Sequence, residues 1–160
     1  MTRRLLFVFV ILTLALPMGA VAQGKPDFSG TWKYQSTTPP DYRGGGAGWG
    51  SASPTVVITQ TATELTVDSS HYGATPMKVV YKLDGSDNIW DGPWKTQTGT
   101  IQTKWRTRGK WDGSKLVLTV WNMALNQTRD ILTLNGGNLS ISRANEAPGG
   151  GTNATLTYGK

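Results

Sequence analysis

Residues 28–34 read FSGTWKY, in which aromatic residues or glycine alternate with polar residues. The even positions are phenylalanine, glycine, tryptophan and tyrosine, whereas the odd positions are serine, threonine and lysine. Successive side chains of a β-strand point to opposite faces of the sheet. The alternation therefore predicts a strand with one buried face and one solvated face.

The same period of two recurs along much of the chain. It is found in ELTVDS at residues 64–69, in MKVVYKL at 77–83 and in TIQTKWRTR at 100–108. Residues 115–123 are apolar on both faces, which predicts the best buried strand. No segment shows apolar residues at helical spacing over three turns, so the sequence predicts an all-β protein.

Turn sequences separate these segments at short intervals. Asp84-Gly85 is a strong turn pair that ends one strand, and Asp112-Gly113 and the NGG at residues 135–137 predict hairpins. Eight or nine short strands result, and consecutive hairpins make neighbouring strands antiparallel. The long connections lie at residues 35–54, which include the glycine-rich segment 43–50, and at residues 145–151.

A long meander leaves two exposed edge strands unless the sheet closes. We therefore predict a single up-and-down antiparallel β-barrel of about eight to nine strands, whose interior is filled by side chains or holds one small ligand. A β-sandwich is the alternative architecture.

The first 22 residues have a different composition from the rest of the chain. Arg3 and Arg4 precede an apolar run at residues 5–16, and AVA at residues 20–22 supplies the small residues that a signal peptidase needs. The run is shorter than the roughly 20 apolar residues that span a bilayer. We expect residues 1–22 to be a signal peptide and residues 23–160 to be one domain, exported to the periplasm or the extracellular space without a membrane anchor.

The chain carries no cysteine, which excludes disulfide bonds, thiolate metal sites and a lipidated cysteine. The 16 basic and 10 acidic residues become 14 and 10 once Arg3 and Arg4 are removed, a net charge of +4. This mild excess favours weak contact with anionic surfaces and does not indicate nucleic acid binding. Basic residues at alternating positions of one strand form a stripe, which is either a solvated outer face or a surface that contacts anionic partners. It consists of Lys104, Arg106, Arg108 and Lys110.

Gly30-Thr31-Trp32, at the beginning of the predicted meander, resembles the Gly-x-Trp motif that opens the first strand of lipocalin-like (calycin) proteins. The turns LDG at 83–85 and KWDGSKL at 110–116 look like those of secreted bacterial lipocalin-like proteins. The resemblance implies that Trp32 plugs the closed end of a barrel. It also implies that a late-strand cation, Arg143, lies over the indole, a contact worth about 0.5–2 kcal/mol.

Seven tryptophans are many for 160 residues. One hypothesis is that the barrel mouth holds a small apolar ligand and is lined by inward-facing strand residues, which we expect to be Met77, Val79, Tyr81, Trp105 and Trp121. Tryptophans in or near loops can form the rim of such a cavity or stack on sugars, and these are Trp49, Trp90, Trp94 and Trp111. The second hypothesis is therefore a carbohydrate-binding or surface-interaction module with a filled interior.

Catalytic and metal-binding groups do not converge in this sequence. His71 is the only histidine, and its neighbours DSS at 68–70 do not form a catalytic triad with it. The sequence contains no Gly-x-Ser-x-Gly motif of a serine hydrolase. DGSDNIWD at residues 84–91 suggests a calcium loop, but Ile89 occupies the glycine position and Lys95 the glutamate position. We predict a protein that is not an enzyme and has no catalytic residues, metal or cofactor.

Overall fold

The computed structural model describes residues 24–42, 53–69, 77–96, 98–121, 127–146 and 152–160. These residues form ten β-strands in one antiparallel sheet. The strands are β1 (Gly30–Thr38), β2 (Thr55–Gln60), β3 (Glu64–Ser69), β4 (Met77–Lys82), β5 (Asn88–Thr96), β6 (Gly99–Asp112), β7 (Lys115–Trp121), β8 (Gln127–Asn135), β9 (Asn138–Glu146) and β10 (Thr152–Gly159). The predicted all-β class is confirmed, but the strand number is ten rather than eight or nine.

The additional strand is β5, which is not among the segments predicted to be strands. Its sequence NIWDGPWKT contains Gly92 and Pro93 and shows no regular alternation. Proline cannot donate to a β-ladder and is tolerated on edge strands, and β5 is one edge of the sheet. Trp90 and Trp94, expected in or near loops, therefore lie within a strand.

The sheet curls into a nearly closed up-and-down barrel with the order β4-β3-β2-β1-β10-β9-β8-β7-β6-β5. The two edges meet at one end, where Asp84 bridges Lys110 and the amide of Gly85 donates to the carbonyl of Gly109 at 3.0 Å. Farther along, the Thr107 hydroxyl donates to the carbonyl of Val80. A single continuous sheet forms the whole core, so the sandwich alternative is wrong.

The four described turns and the amino-terminal segment lie at one end of the barrel, which we call the closed end. Phe28 is completely buried there and stacks on Trp111, with ring centroids 6.1 Å apart. The amide of Phe28 donates to the side chain of Gln60, which in turn donates to the carbonyl of Pro26. The opposite end, which we call the mouth, carries the other five connections, and each of these includes residues outside the described ranges.

Trp32 lies near the closed end, 1% exposed, and its indole N–H donates to the carbonyl of Phe28 at 2.9 Å. The cation over its ring is Lys160, with Nζ 5.1 Å from the centroid, and not the predicted Arg143. The register explains this correction. Lys33 pairs with Gly159, whereas Arg143 pairs with Ala154, five residues farther along β10 toward the mouth.

Residues outside the described ranges include the expected signal peptide at 1–22, His71 and the whole glycine-rich segment 43–50 with Trp49. The described residues contain no helix with the length and hydropathy needed to cross a bilayer.

Candidate functional site

The strand register sorts the inward-facing side chains of β6–β10 into three rows. The closed-end row contains Trp111, Leu116, Leu132, Ile141 and Leu156. The middle row contains Gly109, Leu118, Asp130, Arg143 and Ala154. The mouth row contains Thr107, Val120, Thr128, Asn145 and Thr152. This wall of the barrel is therefore apolar at the closed end and polar toward the mouth.

The closed half of the interior is filled. Leu65, Val67, Leu132 and Ile141 have no exposed surface, which means that no space large enough for a water molecule adjoins them. The wall formed by β2–β4 adds further buried apolar side chains, including Val56, Ile58 and Val79. Any small molecule inside the barrel must therefore sit in the half nearer the mouth.

Asp130 and Arg143 are cross-strand partners in the middle row. Arg143 donates from Nε to Oδ1 and from Nη2 to Oδ2, each at 2.7 Å, and their side chains are 3% and 1% exposed. Burial acts to lower the pKa of Arg143, but the charge and hydrogen bonds of Asp130 outweigh it, so the pKa lies above its ordinary value. Arg143 therefore stays charged, and its ion pair with Asp130 carries no net charge.

Tyr158 lies on β10 near this pair. It is 1% exposed, and its ring meets that of Tyr34 edge to face with centroids 5.8 Å apart. Burial is the main cause that raises the pKa of Tyr158; the charge of Arg143 lowers it, and the charge of Asp130 raises it further. The phenol therefore remains protonated and uncharged throughout the ordinary pH range.

A hydrogen-bond network occupies the mouth row. The Thr128 hydroxyl donates to Asn145 Oδ1 at 2.9 Å, and Asn145 Nδ2 donates to the hydroxyls of Tyr42 and Thr152. Tyr42 follows β1 at the mouth and is half-buried against the core. The network therefore joins the end of the first strand to β8, β9 and β10.

Trp90 and Trp105 stack across β5 and β6 one step nearer the mouth than Thr107. Their ring centroids are 5.9 Å apart and their planes differ by 13°. The Trp90 ring lies over Gly92, where a Cβ atom would be only 2.0 Å from the indole. The Trp90 indole nitrogen is buried and has no hydrogen-bond acceptor among the described residues. Its N–H is thus a donor available on the inner face.

The structure places Val79, Tyr81 and Trp105 inside the barrel, each at most 3% exposed. These side chains belong to the packed interior, and Trp90 joins them as the half-buried partner of Trp105. Met77 and Trp94 lie on β4 and β5, but their side chains are outside the described part of the structure, as is the whole of Trp49.

Trp121 was predicted to face inward and does not. On β7 the even residues Leu116, Leu118 and Val120 are buried, which turns Trp121 to the outer face. Its ring lies beneath the Arg106 guanidinium at 4.2 Å, and its N–H donates to Gln127. A segment that is apolar on both faces does not reveal which face is inside.

The basic stripe lies on the outer face of β6, while the residues between its members are buried. Lys104 pairs with Asp91 at 2.6 Å, and Arg108 pairs with Asp87 at 2.8 Å. Each of these side chains is at least 30% exposed, so the pairs contribute little stability, but they reduce the positive potential of the stripe.

The polar side chains inside the barrel were missed from the sequence. A signal for them exists, because Thr128 and Asp130 share the alternation of Leu132, and Arg143 and Asn145 share that of Ile141. Polar residues at positions in phase with buried leucines and isoleucines mark an inward-facing polar patch.

A separate depression of about 310 Å³ opens at the closed end. It is lined by Lys25, Asp27, Gln60, Thr61, Ala62, Leu83 and Trp111. Lys25 Nζ lies 5.3 Å from the centroid of the Trp111 ring. Trp111 belongs to β6 and already stacks on Phe28, so it is not a loop indole with both faces open to a sugar.

No protein-family model and no curated protein matches the chain. Among solved structures it is similar to a REP1-NXSQ fatty acid transporter, with a TM-score of 0.54 at 13% identity over 82% of this chain and 94% of that chain. A mutant of that transporter gives a TM-score of 0.54 at 15% identity over 82% and 96%. Secretory abundant heat soluble protein 4 from Ramazzottius varieornatus gives 0.46 at 15% identity over 66% and 67%. At these identities the transporter likeness shows a shared barrel fold.

Proposed function

We propose that this chain is an exported lipocalin-like β-barrel binding protein that holds a small apolar molecule in its mouth. The observation that carries the proposal is the change along the interior, from a filled apolar closed half to a polar and partly accessible mouth. Trp90 and Tyr42 are half-buried there, while the residues below them are fully covered. The fatty acid transporter of similar fold is in keeping with this role.

The geometry favours a ligand that lies against indole and aliphatic surface. The stacked rings of Trp90 and Trp105 form one side of the mouth half, and the β2–β4 wall is mostly apolar. Apolar contact area of this kind stabilises a bound molecule by roughly 25 cal/mol per Å² removed from water. Polar groups in the mouth row then orient the ligand.

Titration with 1-aminoanthracene, an uncharged fluorescent probe of apolar cavities, tests the proposal. We expect saturable binding with energy transfer from tryptophan to the probe. Trp90→Phe should weaken probe binding, because it alters the stacked pair inside the barrel. Trp121→Phe is the matched control and should bind normally, since Trp121 lies on the outer face. Absence of saturable binding would overturn the proposed function.

Export requires its own measurement. Residues 1–22 read as a signal peptide, and cleavage would make Gln23 the first residue of the mature protein. Amino-terminal sequencing of the protein recovered from fractionated host cells should show a chain that begins at Gln23 outside the cytoplasm. Recovery of the uncleaved chain from the cytoplasm alone would contradict export.

A further inference from the structure

The buried Asp130–Arg143 pair lies directly below the mouth row, so its charges act on any ligand that enters the mouth of the barrel. We infer that this ligand is uncharged and carries a hydrogen-bond acceptor, such as an alcohol, ketone or ester oxygen; this inference rests on the proposed function. The inference concerns the class of ligand, and it rests on two independent features of the interior.

The first feature is electrical neutrality. Asp130 and Arg143 are the only buried charged residues in the described part of the chain. Both carboxylate oxygens of Asp130 are engaged by Arg143 at 2.7 Å. A ligand carboxylate would have to take the place of Asp130 beside the guanidinium and leave a buried anion uncompensated, or else enter the barrel without a counterion. Either arrangement is strongly unfavourable.

The second feature is the indole N–H of Trp90, which is buried without an acceptor among the described residues. A buried donor is costly to leave unsatisfied, and a neutral ligand oxygen at this point would satisfy it. The hydroxyls of Thr107 and Thr128 and the amide of Asn145 in the adjacent mouth row already have partners. The available donor on this face is therefore an indole N–H, which carries no charge.

A matched series of ligands tests the inference: dodecanol, methyl dodecanoate and dodecanoate, each measured by displacement of 1-aminoanthracene at neutral pH. The three share one chain length and differ in the head group. We expect the alcohol and the ester to displace the probe at least tenfold more effectively than the carboxylate, a difference of about 1.4 kcal/mol in binding free energy. Equal or stronger displacement by dodecanoate would overturn the inference.

Three variants identify the source of the selectivity. Asp130→Asn leaves Arg143 without its anion, and it should improve dodecanoate binding about tenfold or more relative to dodecanol. The double variant Asp130→Asn with Arg143→Gln is again neutral and should keep the wild-type preference for the alcohol. This outcome would support the inference even if the single variant does not fold, and a preference for dodecanoate would overturn it. Asp91→Asn, on the outer surface beside Lys104, is the control and should change nothing.

The outcomes distinguish this inference from the proposed function. Saturable probe binding together with a preference for dodecanoate would retain the binding function and reject the uncharged ligand class. An unchanged preference for the alcohol in folded Asp130→Asn would reject the role of the pair. Absence of probe binding in the wild-type protein would overturn the proposed function and the inference with it.

Discussion

Asp130 and Arg143 form a two-point ion pair across β8 and β9, with both hydrogen bonds at 2.7 Å and both side chains almost completely buried. Such a pair is weak evidence for stability, because the cost of removing two charges from water offsets most of their attraction. The interior next to it is filled with leucine and isoleucine side chains, which would pack without any charge. The position of the pair below the mouth therefore points to ligand selection.

Removal of only one member of this pair should be strongly destabilising. We expect Arg143→Met to lower the free energy of unfolding by about 3–5 kcal/mol, because Asp130 is left buried and unpaired. The double variant Asp130→Leu with Arg143→Met should recover most of this loss. Urea unfolding followed by tryptophan fluorescence measures both values. A single variant as stable as the wild type would contradict the buried geometry.

The sequence predicted those parts of the barrel in which one face is clearly apolar. The alternation gave the correct inward residues Leu65, Val67, Val79, Tyr81 and Leu83. The turns at residues 112–113 and 135–137 gave the correct hairpins, whereas Asp84-Gly85 joins β4 to β5, which lie at opposite edges of the sheet and do not pair. The burial of Trp32 agrees with the alternation of residues 28–34, and its bond to the carbonyl of Phe28 is local in the chain.

The remaining features depend on pairing between distant segments. The orientation of Trp121 follows from the register of β7 with its neighbours, and the partner of Trp32 follows from the contact of β1 with β10. Lys160 is 128 positions from Trp32 in the chain, and nothing in either local sequence indicates their contact. The interior patch of polar residues is different, because the alternation of β8 and β9 places Thr128 and Asp130 in phase with Leu132 and so gives a local signal for it.

High pH should reveal the protonated state of Tyr158. Burial is the main cause that raises its pKa, so the native state keeps the phenol proton at pH values where the unfolded chain, with a tyrosine pKa of about 10, loses it. The contribution of this raised pKa to the free energy of unfolding is complete below the unfolded pKa. It is lost as the pH rises from the unfolded pKa toward the folded one. The free energy of unfolding of Tyr158→Phe should therefore improve relative to the wild type above about pH 10. Parallel pH profiles from urea unfolding would contradict the shift.

Gly92 holds the stacked indoles in place by its lack of a side chain. Gly92→Ala puts a Cβ atom where the Trp90 ring lies, 2.0 Å from Cζ3, so the ring must move away from Trp105. We expect a loss of about 0.5–1.5 kcal/mol from the aromatic pair and a weaker near-ultraviolet circular dichroism signal from the coupled indoles. Gly24→Ala is the control, because nothing lies within 4 Å of the added methyl group. Equal spectra for the two variants would argue against the stacking.

Gly109 sets the distance between β4 and β6 where the barrel closes. A Cβ atom at this position would lie 2.9 Å from the carbonyl oxygen of Lys82 and 3.0 Å from Leu83 Cδ2. The carbonyl is backbone and cannot rotate away, so Gly109→Ala should push the end of β4 outward and weaken the bond from the Gly85 amide to the Gly109 carbonyl. We expect a loss of about 1–3 kcal/mol in the free energy of unfolding, the range for overpacked sites.

The position of this loss can be tested separately from its size. Hydrogen exchange should accelerate at the amides of β4, because β4 is an edge strand whose only neighbour in the sheet is β3. Exchange should change little in the β8–β9 hairpin on the far side of the barrel. A uniform acceleration over both regions would mean that Gly109→Ala lowers global stability without opening the closure. If neither the exchange of the β4 amides nor the free energy of unfolding changes, β4 and β6 are not in close contact. That result would contradict the closure of the barrel between these two strands.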